Sequence, residues 1–179
     1  RAARCHFSAR PRASSTEADA ILDYLEDIGP ATRLLPEDPQ ARATVRALMK
    51  EIELYIELPA RSCFAEAFFG STVPAAIKSK AREDLLAGFA TLKRHARFAP
   101  YVAGDTFTLA DIVFLYSVDL AATVGKQLFD LDLLGDLPAA RTLLQRLGEN
   151  PHVKMIAAKR DAGMPAFVAA VRERLQAAS

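Results

Sequence analysis

Apolar residues recur at three- and four-residue spacing along most of the chain, and proline or glycine interrupts each run, so the pattern predicts a series of amphipathic helices. Ile21, Leu22, Tyr24, Leu25 and Ile28 form the first stripe, which Gly29-Pro30 stops. After a linker, Asp38-Pro39 has the form of an N-cap followed by proline at the first helical position, where the missing N–H costs nothing. The helix behind it carries Val45, Leu48, Met49, Ile52, Tyr55 and Ile56 as its buried stripe, and Pro59 is expected to kink or end it. Beyond the Phe64, Phe68, Phe69 cluster and Gly70-Ser71, a second long helix starts near Val73-Pro74 and buries Leu85, Phe89, Leu92 and Ala96. The stretch from His95 to Pro100 ends it.

Gly104-Asp105 then makes a turn, and Thr108-Leu109-Ala110-Asp111 reads as a capping box, with the threonine oxygen taking an orphan amide and the aspartate reaching back to the threonine N–H. Leu109, Ile112, Val113, Phe114, Leu115, Tyr116 and Val118 leave the next helix little polar surface, so it belongs at the centre of the molecule. Three shorter helices are expected to finish the chain, from about Leu137 to Leu147, from Pro151 to Lys159 behind an Asn150 cap, and from Pro165 to Gln176. There is no recurrent Val/Ile/Thr alternation, no internal repeat, and little glycine. The fold class read from this is all-α, an antiparallel bundle of six or seven helices. Residues 1–13 show neither a helical stripe nor strand alternation and read as an unstructured or non-native head; the Ser14-Ser15-Thr16 cluster reads as a helix start.

Composition narrows the class. The 179 residues are 51% hydrophobic and 25% charged, the balance of one folded domain, or of one domain with a fragment of a second. A net charge of +1 gives no electrostatic case for nucleic acid or an anionic membrane surface. No apolar run is expected to reach the roughly 18 residues that span a bilayer. The first twelve residues hold four arginines and no apolar core, unlike a secretory signal. Two cysteines, Cys5 and Cys63, make neither a disulfide scaffold nor a zinc site, and the cytoplasm is the simplest compartment.

Candidate chemistry is sparse. His6, His95 and His152 lie in the head, at a helix end and in a first helical turn, and the single Glu149-Asn150-Pro151-His152 is not the paired arrangement of a di-metal bundle, so no metal is expected. Cys63, beside the aromatic cluster, reads as a buried inert thiol. No phosphate loop, nucleophile elbow or Cys-x-x-Cys is present. Glu51, Glu53 and Glu57 read as a solvated helix face. Tyr55, Phe64, Phe68, Phe69 and Tyr116 either pack the core, the favoured reading, or line a pocket for an apolar ligand. The arginines of the head either contact phosphates or carry no function.

Two segments together resemble the cytosolic glutathione transferase family, of bacterial type. Glu17-Ala18-Asp19-Ala20-Ile21-Leu22-Asp23-Tyr24-Leu25-Glu26, with Leu34-Leu35-Pro36-Glu37-Asp38-Pro39 shortly after, is similar to the family's Glu-Ser-x-Ala-Ile-x-x-Tyr-Leu helix and the linker into its helical domain. Tyr101-Val102-Ala103-Gly104-Asp105-Thr106-Phe107-Thr108-Leu109-Ala110-Asp111-Ile112 is similar to the family's Gly-Asp-x-Phe-Thr-x-Ala-Asp stretch. Both stand in the family's order, with a proline linker and long helices between.

The resemblance implies a glutathione-transferase C-terminal-like bundle over residues 38–177, a linker over 30–37, and, over 14–29, the last helix of a thioredoxin-like domain. Only sixteen residues precede Glu17, whereas one βαβ unit takes roughly 30. The expectation is therefore that most of that domain is missing, that no catalytic hydroxyl or thiol can be named, and that the chain is inactive as it stands. The resemblance further implies glutathione as co-substrate and a small electrophile as partner, with the thiolate attacking the electrophile. Glu17 and Ala18 would hold the γ-glutamyl end of glutathione, more weakly than in the family because Ala18 replaces its serine. Tyr55, Phe64 and Tyr116 would line the electrophile pocket, while Thr108 and Asp111 are structural. A homodimer with the Asp38 helix near the axis is also implied. The other reading is a non-catalytic helical module of this family, used for dimerisation or docking.

Overall fold

The computed structural model describes residues 7–10, 13–15, 17–29 and 33–177. Two compact units divide the chain, Arg1–Arg42 and Ala43–Ser179.

In the first unit, strands β1 (Phe7–Arg10) and β2 (Ala13–Ser15) pair antiparallel, Phe7 opposite Ser15, and helix α1 (Ala18–Ile28) follows. The head expected to be unstructured therefore contains a small hairpin, and the helix expected from residue 14 starts later because Ser14 and Ser15 belong to β2. Strand pairing is a backbone contact, and four- and three-residue strands made largely of Ala and Ser leave no alternation to read. The other head residues, His6 and Cys5 among them, lie outside the described set. Glu26 of α1 holds the linker: its carboxylate accepts the amides of Leu34 at 2.9 Å and Leu35 at 3.1 Å. Asp38 Oδ2 accepts the Ala41 amide at 2.7 Å, the expected cap, and the Arg42 guanidinium donates to the carbonyls of Pro36 and Glu37.

From there the chain is helical. Helix α2 (Pro39–Ile52) runs through a π turn (Glu53–Glu57) into α3 (Leu58–Arg61), and α4 (Phe64–Phe69), α5 (Ala75–His95), α6 (Leu109–Phe129), α7 (Pro138–Gly148) and α8 (Pro151–Ala177) follow. With α2, the π turn and α3 counted as one bent rod, the described residues make seven helices. Proline occupies the first position of α2, α7 and α8, where it pre-sets φ and its missing N–H removes no bond.

The bend in the rod has a local cause. Pro59 has no N–H to give the Tyr55 carbonyl four residues back, so the α pattern fails there, and the segment widens instead, with the Leu58 amide reaching Glu53 five residues back. The expected kink is thus a π turn one step ahead of the proline. It also rotates the stripe: Val45, Leu48, Met49, Ile52 and Ile56 are buried as expected, but Tyr55 is 52% exposed.

Helix α6 is the centre. Leu109, Ala110, Phe114, Val118, Ala121 and Val124 are buried, and the π turn, α3, α4, α5 and α7 pack on it. By length and composition α6 could cross a membrane, its best 18-residue window having mean hydropathy 1.3, which corrects the expectation that no run qualifies. Its apolar character is that of a helix packed on several neighbours, and it begins at a buried carboxylate, Asp111.

One further difference concerns the C-terminus. The two helices expected around residue 160 are a single 27-residue α8 with Pro165 inside it. Proline there strips the bond to the carbonyl of Asp161, but Asp161 is exposed, so water can satisfy that oxygen and the helix continues. Asn150 caps α8 as expected, its Oδ1 accepting the His152 amide at 2.9 Å.

Candidate functional site

In the first unit the residue of interest is Glu17, which stands immediately before α1 at φ 78° and ψ 125°. A side chain at positive φ costs about 1–3 kcal/mol and tends to be retained where the backbone has a task. No side chain caps the start of α1, and both Glu17 and Ala18 are exposed. The Glu17 carbonyl closes the first turn with the Ile21 amide at 3.2 Å. Amides at such a helix start favour an anion.

In the second unit, α6 and the bent rod are joined by a carboxylate. Glu57, the last residue of the π turn, accepts the Ser117 hydroxyl on Oε2 at 2.6 Å, and its Oε1 lies 3.3 Å from Nε of Arg61. Ser117 is buried, and its neighbour Tyr116 is 39% exposed on the same helix. Phe64 is half-buried and meets Phe68 edge-on with ring centres 5.1 Å apart; the rings continue through Phe69 to Phe167 of α8. Phe64, Phe68 and Phe69 pack on one another, but none is fully buried and Tyr116 is exposed, so the core packing favoured from the sequence is not what these rings do. Tyr55 is placed elsewhere. It lines a groove of about 360 Å³ with Leu54 and Pro59 on one side and Lys80, Asp84 and Gly88 of α5 on the other, and neither Phe64 nor Tyr116 belongs to that lining.

The capping box of α6 is present and more heavily used than a cap requires. Asp111 is fully buried, with Oδ2 accepting the Thr108 amide at 2.8 Å and hydroxyl at 3.2 Å, and Oδ1 accepting the Val102 amide at 2.9 Å. Burial pushes its carboxyl above the ordinary range, against the pull of these donors. The loop it anchors is held from outside by Arg146, which donates to the Pro100 carbonyl at 2.6 Å and lies 4.4 Å over the ring of Tyr101.

The carboxylates read as a solvated face are partly exposed and also engaged: Glu51 with His95 Nδ1 at 2.8 Å, Glu53 with Lys50 at 2.5 Å, and Glu57 as above. His95 is accordingly tied to α2. Cys63 is fully buried, as expected, with Ser62 Oγ 3.7 Å from its sulfur. Among the described residues no group of three or more His, Cys, Asp or Glu is placed to hold a metal. Sequence reasoning missed Ser117 and Arg61. The signals were there: a hydroxyl in a nearly all-apolar helix, and an i, i+4 Glu–Arg pair.

Comparison with known proteins agrees with this architecture. The family profile described as glutathione S-transferase, C-terminal domain, matches residues 12–146. A glutathione S-transferase of Pseudomonas putida is 59% identical over 157 residues, covering 88% of this chain and 71% of that protein. Maleylacetoacetate isomerase of Rattus norvegicus is 34% identical over 96 residues, covering 52% of this chain and 42% of the enzyme. Among solved structures, a maleylacetoacetate isomerase from Anaeromyxobacter dehalogenans, with bound dicarboxyethyl glutathione and citrate, superposes with a TM-score of 0.67 at 25% identity, over 84% of this chain and 67% of that one. Helical architecture, family match and close relative agree, and the chain belongs to the glutathione S-transferase family.

Proposed function

We propose that this chain takes part in glutathione transfer, in which the glutathione thiolate attacks an electrophilic carbon. The observation that carries the reading is Glu17, strained at φ 78° directly before an uncapped helix start. Amides of that first turn receive the γ-glutamyl carboxylate, and the Glu17 carboxylate pairs with the ammonium of the same residue. Ala18 contributes no hydroxyl, so the affinity is lower than a serine there would give. Helix α1 acts as the last helix of a glutathione-binding domain, 30–37 as linker and 38–177 as the helical domain, working in the cytoplasm. Phe64 and Tyr116 supply the wall on which the electrophile rests.

Tyr55, expected in that wall, serves a different surface in this reading. Leu54, Tyr55 and Leu58 are 45%, 52% and 58% exposed on one stretch of the rod, and the adjoining groove carries a cation and an anion, Lys80 and Asp84. An apolar strip flanked by both charges suits a two-fold copy of itself, and we place the second subunit of a homodimer there.

A calorimetric titration with reduced glutathione and, in parallel, S-hexylglutathione tests the main reading. Saturable binding of one ligand per chain is the expected result. An absence of heat with both ligands removes the proposal.

A further inference from the structure

Helix α8 packs on α4 and α7 and leaves one face of its second half open. Asp161, Met164, Pro165, Val168, Ala169 and Arg172 line a shallow groove of about 600 Å³ there, and among the described residues no other element contributes to it. Val168 is half-buried and the other five are exposed. Their spacing of three and four residues puts them on one stripe three turns long, about 16 Å from Asp161 to Arg172.

The stripe is complementary to its own reverse. With a second α8 laid antiparallel across it, and the two-fold axis between Ala166 and Phe167, Asp161 stands level with Arg172 of the copy, Met164 with Ala169, and Pro165 with Val168. Opposite charges meet at both ends, and the longest apolar side chain faces the shortest. A parallel copy would instead set Asp161 beside Asp161 and Arg172 beside Arg172. Arg172 has no acceptor among the described residues, whereas Asp161 is paired through Oδ1 with the adjacent Arg160. Its Oδ2, and the backbone carbonyl that Pro165 deprives of a helical donor, are left for the incoming guanidinium.

We infer that this face of α8 binds the same face of a second copy of the chain, antiparallel, with Asp161 and Arg172 paired across the axis. The surface is separate from the Tyr55 groove, and the inference does not rest on glutathione binding. A contact three turns long is small beside the roughly 1,200–2,000 Å² of stable interfaces, so the association is weak. Where the Tyr55 groove has joined two copies, the α8 contact joins such pairs into larger assemblies.

Sedimentation equilibrium over a series reaching millimolar concentration reads the contact directly. Leu58→Arg, which opposes docking at the Tyr55 groove, leaves the α8 step by itself, so failure of the homodimer and failure of this contact are told apart. In that background Asp161→Arg and Arg172→Asp, each setting like charges opposite one another, are expected to weaken the step by at least about ten-fold. A chain carrying both Asp161→Arg and Arg172→Asp recovers it to within about two-fold. So does an equal mixture of the two single variants, because every contact again joins opposite charges, a recovery that misfolded variants would not give. No association by the α8 step at millimolar concentration overturns the inference. A doubly exchanged chain and a mixture that stay as weak as the single variants overturn it too, and would assign the face to another register or another partner.

Discussion

Gly88 of α5 lies against the backbone carbonyl of Tyr55: a Cβ at Gly88 would stand 2.1 Å from that oxygen and 2.8 Å from its carbon. This is the carbonyl that Pro59 leaves without its α-helical partner, so the widened turn and the glycine form one fit, the rod presenting a backbone carbonyl and α5 a bare Cα. Gly88→Ala cannot be absorbed by a rotamer change, since the obstacle is backbone. It is expected to destabilise the chain by about 2–3 kcal/mol, the upper range for overpacking, and a urea denaturation series read by circular dichroism will check it. A stability within about 0.5 kcal/mol of the unaltered chain would show that the rod and α5 can separate freely.

Asp111 offers a second test, with a pH dependence of definite sign. Replacing it with Asn puts an NH2 group where one of two carboxylate oxygens accepts a backbone amide, leaving the amide of Val102 or of Thr108 without an acceptor. The cost is about 1–3 kcal/mol, measured by urea denaturation at neutral pH. Burial raises the carboxyl above its value in the unfolded chain, so the folded state holds the proton more tightly. The contribution of this group is therefore complete below the ordinary carboxylate range and declines as pH rises through the raised folded value. The stability difference between the unaltered chain and Asp111→Asn should narrow from acid to neutral pH, and a widening difference would contradict the assignment.

Glu66 runs the other way. Its carboxylate accepts the Lys78 ammonium at 2.9 Å and the Val73 amide at 2.7 Å, closing the connection from α4 to α5, and these two bonds hold its carboxyl below the ordinary value. A lowered folded value means stability that is present above the unfolded pKa and lost as pH falls through the folded one. Lys78→Met removes the larger cause, so the Glu66 carboxyl is expected to titrate closer to the ordinary range. Carbon-detected magnetic resonance of the side-chain carboxyl follows this directly, and an unchanged midpoint would assign the effect to the Val73 amide alone.

The sequence carried the helices and their caps because both are local. Asp38-Pro39, Asn150-Pro151 and Thr108 to Asp111 are contacts within a few residues, and each stands where the pattern placed it. What escaped was set by partners distant in sequence or by the backbone alone. The hairpin of Phe7–Arg10 and Ala13–Ser15 has no side-chain signature. Pro59 announced a break, but only the approach of Gly88, 29 positions further on, shows where the widened turn points Tyr55. The Ser117–Glu57 bond spans 60 positions, and nothing near either residue foretells the other.

The position of Tyr55 leads to the last prediction. If its groove is where a second copy docks, the apolar strip of Leu54, Tyr55 and Leu58 becomes covered in the dimer, and a charge placed in it must be desolvated without a partner. Leu58, the most exposed of the three at 58%, takes no part in the core, so a charge there leaves the fold of one subunit intact. Leu58→Arg is expected to shift the chain from dimer to monomer, weakening association by at least about 100-fold, as sedimentation velocity across a concentration series will show. Tyr116→Arg, on the helix assigned to the electrophile wall, serves as the control and should leave the dimer in place. Dissociation by Tyr116→Arg, with Leu58→Arg still dimeric, would exchange the two surfaces and return Tyr55 to the pocket that the family resemblance implied for it.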